Sequence, residues 1–255
     1  MIAIKTSDEL SVMREGGKKL WKILQTLLEE SVVGVSLKTI EDHAQQYIKD
    51  AGATPSFVTV GGYKWATCLC INDQVVHGIP SAYTLREGDV FTIDIGMIYK
   101  GLHTDTAWTK IIKIQDSKIN EEKEKFLAVG QETLKKAIKA AKAGNRVGHI
   151  SQAIEEGVTG AGYSVIPSLT GHGVGKKLHE EPMIPGYLDK PLERTPLLTT
   201  GMTLAVEIIY AFGKGAIVYS TDDGWTLSSK DRSLTAVFER TIAIGDAESS
   251  VLTGS

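Results

Sequence analysis

The chain has 255 residues, of which 42% are hydrophobic and 23% charged, and its formal net charge is -3. These are ordinary values for a soluble globular protein with a sizeable core, enough for one large domain or two small ones. The mildly acidic balance gives no basic footprint for nucleic acid and no attraction to a membrane surface. The two cysteines, Cys68 and Cys70, would share one face of a strand at a separation unsuited to a mutual disulfide, so a cytoplasmic location is expected. The start, Met1-Ile-Ala-Ile-Lys-Thr-Ser-Asp, has no basic stretch followed by a long apolar one, and no run nears ~18 apolar residues. Neither a signal peptide nor a membrane span is expected.

Thr6-Ser-Asp-Glu9 has the form of a capping box. Leu10, Met13, Leu20, Ile23, Leu24, Leu27 and Leu28 then follow helical spacing, although Gly16 and Gly17 weaken the middle of that helix. Ser36 caps a second predicted helix over 37–50, ended by Gly52. Strand-like segments lie at 67–71 and 90–98, followed by a long amphipathic helix over 121–143 and another over 147–162. Shifted by 110 residues, Gly34, Leu37, Ile40, Ile48 and Gly52 fall on Gly144, Val147, Ile150, Val158 and Gly162. That repeat suggests two similar halves, each a helix pair followed by strands. The chain ends in predicted strands at 202–212, 216–220, 225–228 and 235–244, separated by Gly-Lys-Gly, Asp-Asp-Gly and Lys-Asp-Arg-Ser turns. The pattern predicts an α+β fold, with helices on one face of a mainly antiparallel sheet and the other face free for a site. No linker divides the halves, so residues 1–247 read as one domain and 248–255 as a flexible polar tail.

Three features carry chemistry. The first is Val90-Phe-Thr-Ile-Asp-Ile-Gly96, leading to His103-Thr-Asp105-Thr. Asp94 interrupts an apolar, β-branched run, where a lone carboxylate is costly. A turn centred between 99 and 100 would set Asp94 directly opposite Asp105, about 5 Å away, a repulsive pair unless a cation lies between. The second is Gly171-His-Gly-Val-Gly175 followed by His179, where flanking glycines leave the His172 imidazole unobstructed. His43, His103 and His149 have no such frame and read as ordinary core or surface residues. The third is a pair of glutamates, Glu207 and Glu239, each inside an apolar strand. Asp94, Asp105, His172, Glu207 and Glu239 together suit two divalent ions of intermediate hardness: Mn, Fe, Co or Zn.

At these residues the chain resembles the type I methionine aminopeptidases, metallopeptidases of the pita-bread fold. The resemblance runs from the first helix to about Ile244. It includes Cys70-Ile-Asn-Asp73 leading to His77-Gly-Ile-Pro80, Gly171-His-Gly-Val-Gly, His179-Glu-Glu-Pro, Asp223-Gly-Trp-Thr and Lys230-Asp-Arg-Ser-Leu. It implies a curved sheet of pseudo-twofold halves and removal of the N-terminal methionine from nascent proteins. Asp94, Asp105, His172, Glu207 and Glu239 would be metal ligands, with Asp105 and Glu239 bridging. A hydroxide between the two ions would attack, and Glu207 would act as general base and acid. His77 and His179 would be catalytic, contacting substrate and steadying the tetrahedral intermediate. Tyr63, Trp65, Cys68, Leu178 and Trp225 would line the methionine pocket, and a monovalent cation would sit near Asn72, Gln74 and Thr235. Nascent chain termini, at the ribosome, would be the partners of a monomer.

Two residues depart from the family pattern. Ile208 and Arg240 stand after the ligand glutamates where Pro and His are usual, so Glu207's strand and Glu239's electrostatic surroundings are the places to inspect. Two rival readings are an X-Pro aminopeptidase or dipeptidase, which carries an additional N-terminal domain, and a non-catalytic binding module of the same fold, which loses metal ligands.

Overall fold

The computed structural model describes residues 2–113, 121–219 and 223–254. The first half contains helices α1 (Ser7–Glu30) and α2 (Leu37–Asp50), short strands β1 (Thr54–Pro55), β2 (Thr67–Ile71) and β3 (Gln74–Val76), and the hairpin of β4 (Val90–Tyr99) and β5 (Leu102–Ile111). The second contains α3 (Glu121–Ala140), α4 (Val147–Thr159), β6 (Ser164–Val165), β7 (Thr170–Gly173), β8 (Glu180–Pro185) and β9 (Thr203–Ala211). It ends with β10 (Ile217–Tyr219), β11 (Leu227–Ser229), β12 (Thr235–Ala243) and β13 (Ser250–Val251). This is the α+β order that the patterning predicts, with α3 and α4 each ending three residues short of the expected bounds. Ser220 and Asp222, parts of a predicted strand and turn, and the final Ser255 lie outside the described residues.

The helix starts follow from local chemistry. Thr6 and Glu9 exchange both bonds of a capping box at 3.2 and 2.9 Å, and the Ser36 hydroxyl accepts from the Thr39 amide at 3.1 Å. The repeat is visible in the backbone. Gly34 and Gly144 have φ of +92° and +85°, and Gly52 and Gly162 have +72° and +85°, a left-handed region that glycine enters without a Cβ penalty. The Gly34 amide donates to Leu85 and that of Gly144 to Leu198, so each half closes its second helix on an equivalent loop.

Alternation along the strands separates two faces. On β4, Phe91, Ile93, Ile95 and Met97 are buried against α1 and α2, while Thr92, Asp94 and Gly96 occupy the opposite face. On β9, Leu204, Val206, Ile208 and Tyr210 pack under α3 and α4, and Ala205, Glu207 and Ile209 face the other way. The halves meet where β5 lies beside β12. Three threonine hydroxyls stitch that seam. Thr241 Oγ1 accepts from the Asp105 amide and donates to its carbonyl, Thr109 does the same with Val237, and Thr106 donates to the Glu239 carbonyl, all at 2.7–2.9 Å.

The C-terminal segment corrects the expectation of a flexible tail. β13 pairs with β12, and Leu252 and Thr253 are fully buried. The Thr253 hydroxyl accepts from the Thr241 amide at 2.9 Å. The reason lies in α1: a Cβ on Gly17 would overlap the Leu252 carbonyl. The glycines that weaken this helix on propensity therefore open its surface to the end of the chain.

Candidate metal centre and active site

The β4–β5 hairpin closes through a two-residue turn, Lys100-Gly101, both at positive φ (48° and 82°), the geometry that matches strand twist. The register is therefore Tyr99 opposite Leu102, Gly96 opposite Asp105 and Asp94 opposite Ala107. Asp94 and Asp105 are not directly opposed as expected; they are diagonal neighbours. An offset of two residues preserves parity, so both still point to the same face. Across the seam Glu207 and Glu239 are direct cross-strand partners, and His172 on β7 pairs with Ala205 of β9.

Ligand atoms of Asp105, His172 and Glu239 lie within 4.8 Å of one another, and His172 Nε2 is 3.5 Å from Glu207 Oε1. His172 Nδ1 meets the Gly173 carbonyl at 2.8 Å; donating there, it leaves Nε2 free to bind a cation. Asp94 Oδ1 and Glu239 Oε1 are buried without a hydrogen-bond partner, and such groups call for a counterpart. Burial raises all four carboxyls. Asp94 rises well above the ordinary range, pushed further by Asp105 and Glu207, and Glu207 rises through burial and Asp105. Glu239 also rises, through burial and then its three acidic neighbours. Asp105 is carried to about 7 by burial, against a hydrogen bond from the Thr106 amide. His172 is pushed down to about 4 by burial and by His179, which keeps it neutral at pH 7. The donor set fits divalent cations: four hard oxygen donors, one imidazole and a charge cluster that is costly without them.

The cluster forms one wall of a cavity of about 330 Å³. His77 and His179 also line it, and the His179 ring lies 4.5 Å from that of His172. His77 adopts φ +59°, a region uncommon for a side-chain-bearing residue and concentrated at functional sites. Tyr63, Cys68, Leu178 and Trp225 form the apolar end, joined by Phe57 and Val60. Trp65, expected in that pocket, is absent from its lining; the ring packs edge-on behind Tyr63, at 5.2 Å between centroids. Phe57 and Val60 belong to a short 3-10 turn and its end, with no sequence signal for a site. Val76, Leu169, Thr170, Met183 and Ile209 also line the cavity and likewise read in sequence as plain strand and loop. At the remaining predicted position, the Thr235 hydroxyl reaches the carbonyls of Asn72 and Gln74 at 3.2 and 2.8 Å.

Both departures are absorbed by the helix-side core. Ile208 is fully buried and pairs with Phe238 in an unbroken ladder, so Glu207's strand is not displaced. The Arg240 guanidinium is clamped between Trp21 and Trp108, 3.8 and 4.3 Å from their centroids. Its Nη1 donates to Thr106 Oγ1 and the Glu239 carbonyl at 3.1 and 2.9 Å. It is thus a buried, satisfied cation on the face opposite the carboxylates. Truncation to Arg240→Ala is expected to cost the metal-free chain about 2–4 kcal/mol, from lost cation–π contacts and the void between the indoles. Urea unfolding measures this, and a cost below ~0.5 kcal/mol would show the clamp idle.

The antiparallel sheets of the described residues, one of four strands, one of three and one of six, their helix pairs and the acidic cavity define a metallopeptidase architecture. The chain belongs to metallopeptidase family M24, whose model matches residues 11–246. It is 38% identical over 253 residues to methionine aminopeptidase 1 of Bacillus subtilis, with 99% of both chains covered. The crystal structure of methionine aminopeptidase from Thermotoga maritima superposes with a TM-score of 0.94 at 37% identity, covering 100% of each chain. Prolidase from Pyrococcus furiosus shares the fold, with a TM-score of 0.78 at 22% identity, covering 99% of this chain and 65% of that one. The pita-bread fold expected from the motifs is the fold observed.

Proposed function

We propose that this chain hydrolyses the peptide bond after an N-terminal methionine, using two divalent ions held by Asp94, Asp105, His172, Glu207 and Glu239. It is a methionyl aminopeptidase, a reading supported by full-length likeness to relatives of that name. The observation that carries the reading is the convergence of those five side chains on the wall of a cavity with an apolar end. Ions bound there would acidify water to near neutrality and polarise a carbonyl.

The protein's own groups then have distinct tasks. The rings of Tyr63 and Trp225, 5.0 Å apart and edge-on, with Cys68 and Leu178, receive an unbranched apolar side chain. Glu207, which cations at the cluster would hold ionised, takes a proton from water and delivers it to the leaving amine. His77 and His179, on the same cavity, donate to the oxygen on which charge develops. Carbonyls of Asn72 and Gln74 would serve a monovalent cation. Nascent chain termini are the proposed substrates, met at the ribosome in the cytoplasm by a monomer. No described helix is long and apolar enough to cross a membrane.

The test is release from Met-Ala-, Leu-Ala- and Ala-Pro-headed peptides with Mn, Fe, Co or Zn in turn. Cleavage confined to the methionine peptide is expected. Preference for Ala-Pro would move the activity to the dipeptidase class, and inertness with every metal would favour a binding module.

A further inference from the structure

The loop that carries His179 is held from an unexpected direction, the first residues of the chain. Lys5 is 7% exposed despite lying next to the N-terminus, and its Nζ meets Glu180 Oε2 at 2.5 Å. The other oxygen of Glu180 accepts from the Lys177 amide at 3.1 Å, closing a turn that contains His179. The backbone of Lys5 is itself fixed, its amide donating to the Gly201 carbonyl at 2.9 Å. Gly175 supplies an independent observation. A Cβ there would overlap Lys5 Cε and Nζ, so the last glycine of Gly-His-Gly-Val-Gly is the opening through which the lysine passes. The Gly175 carbonyl in turn accepts from the His103 amide at 2.7 Å. A second, exposed pair, Lys176 with Glu9 at 3.0 Å, joins the same loop to the start of α1.

We propose that Lys5 is a positioning residue for His179, acting through Glu180; the proposal rests on the substrate-contacting role given to His179 above. A surface ion pair would do little, but this one is enclosed. Removing the ammonium leaves a carboxylate partly buried beside the cavity, and that group relaxes toward water. The turn it closes moves with it, and an ångström of displacement at a charge-stabilising group costs far more in turnover than in binding.

The experiment compares Lys5→Met, Glu180→Gln and the double variant in the full chain loaded with Mn. Lys5→Met keeps the stem that fills the opening at Gly175. It is expected to lower kcat for a Met-Ala-headed peptide at least tenfold, with KM changing less than threefold and Mn affinity by calorimetry unchanged. Amide exchange across 174–180 should rise. Adding Glu180→Gln to Lys5→Met removes the stranded charge and should recover a severalfold gain in kcat, a rescue that simple loss of stability would not produce. Lys5→Met turning over within twofold of the parent, or a double variant that equals the product of the singles, overturns the proposal. A parent chain inert on methionine peptides sinks the functional reading instead; the exchange measurement then still decides whether Lys5 holds the loop.

Discussion

Replacing Glu207 with alanine is expected to abolish methionine release, lowering kcat by at least ~10³-fold, while the chain still folds. The side chain lies on the cavity wall, 3.5 Å from His172 Nε2 and opposite Glu239, so its loss would remove both the proposed cation ligand and the proposed proton carrier. Nothing in the core depends on it, because the packing face of β9 is made by Leu204, Val206, Ile208 and Tyr210. Steady-state kinetics together with circular dichroism separates the two effects. Retained turnover with an intact spectrum would refute the assigned role.

The second large effect concerns the protein stripped of metal. The folded state raises the carboxyls of Asp94, Asp105, Glu207 and Glu239, so it binds more protons than the unfolded chain above the ordinary carboxylate range. Stability must then fall as pH rises through the folded pKa values. His172, lowered to about 4, acts with the opposite sign, but only below about 6.5, where the unfolded imidazole charges. Between pH 6.5 and 9 the carboxyls act without opposition from that histidine. Each carboxyl still protonated in the folded state makes stability fall with pH until it ionises. A fall in Tm across that window is expected for the chelated protein. Mn should abolish the drop, since cations that bind only the folded state offset the repulsion. A flat profile without metal would mean that the four carboxyls do not share one buried space.

Much of this arrangement was legible because its signals are local. Capping boxes, strand alternation and the glycine repeat mark helices and faces, and acids inside apolar strands mark a cluster that needs cations. The hairpin register differs from the expected one by two residues because Tyr99-Lys100-Gly101 admits more than one turn centre. Asp94 and Asp105 share a face under either choice, since side-chain direction depends on parity alone. What could not be read depends on long-range packing. Trp65 and Tyr63 are equally aromatic, and only the tertiary path of their loop decides which one faces the cavity. Gly17 looks like a defect in a helix until Leu252 is laid across it, and Arg240 looks intrusive until Trp21 and Trp108 close around it.

The docked segment 250–253 has a consequence for the carboxylate cluster. The main chain of Leu252 rests on the first helix, and Thr253 completes the edge of the strand that supplies Glu239. Thr241, whose amide is held by Thr253, also grips the Asp105 backbone with its hydroxyl, so this segment braces the seam beside two of the clustered carboxyls. Removing that brace is expected to slacken β12 where it carries Glu239 and meets β5.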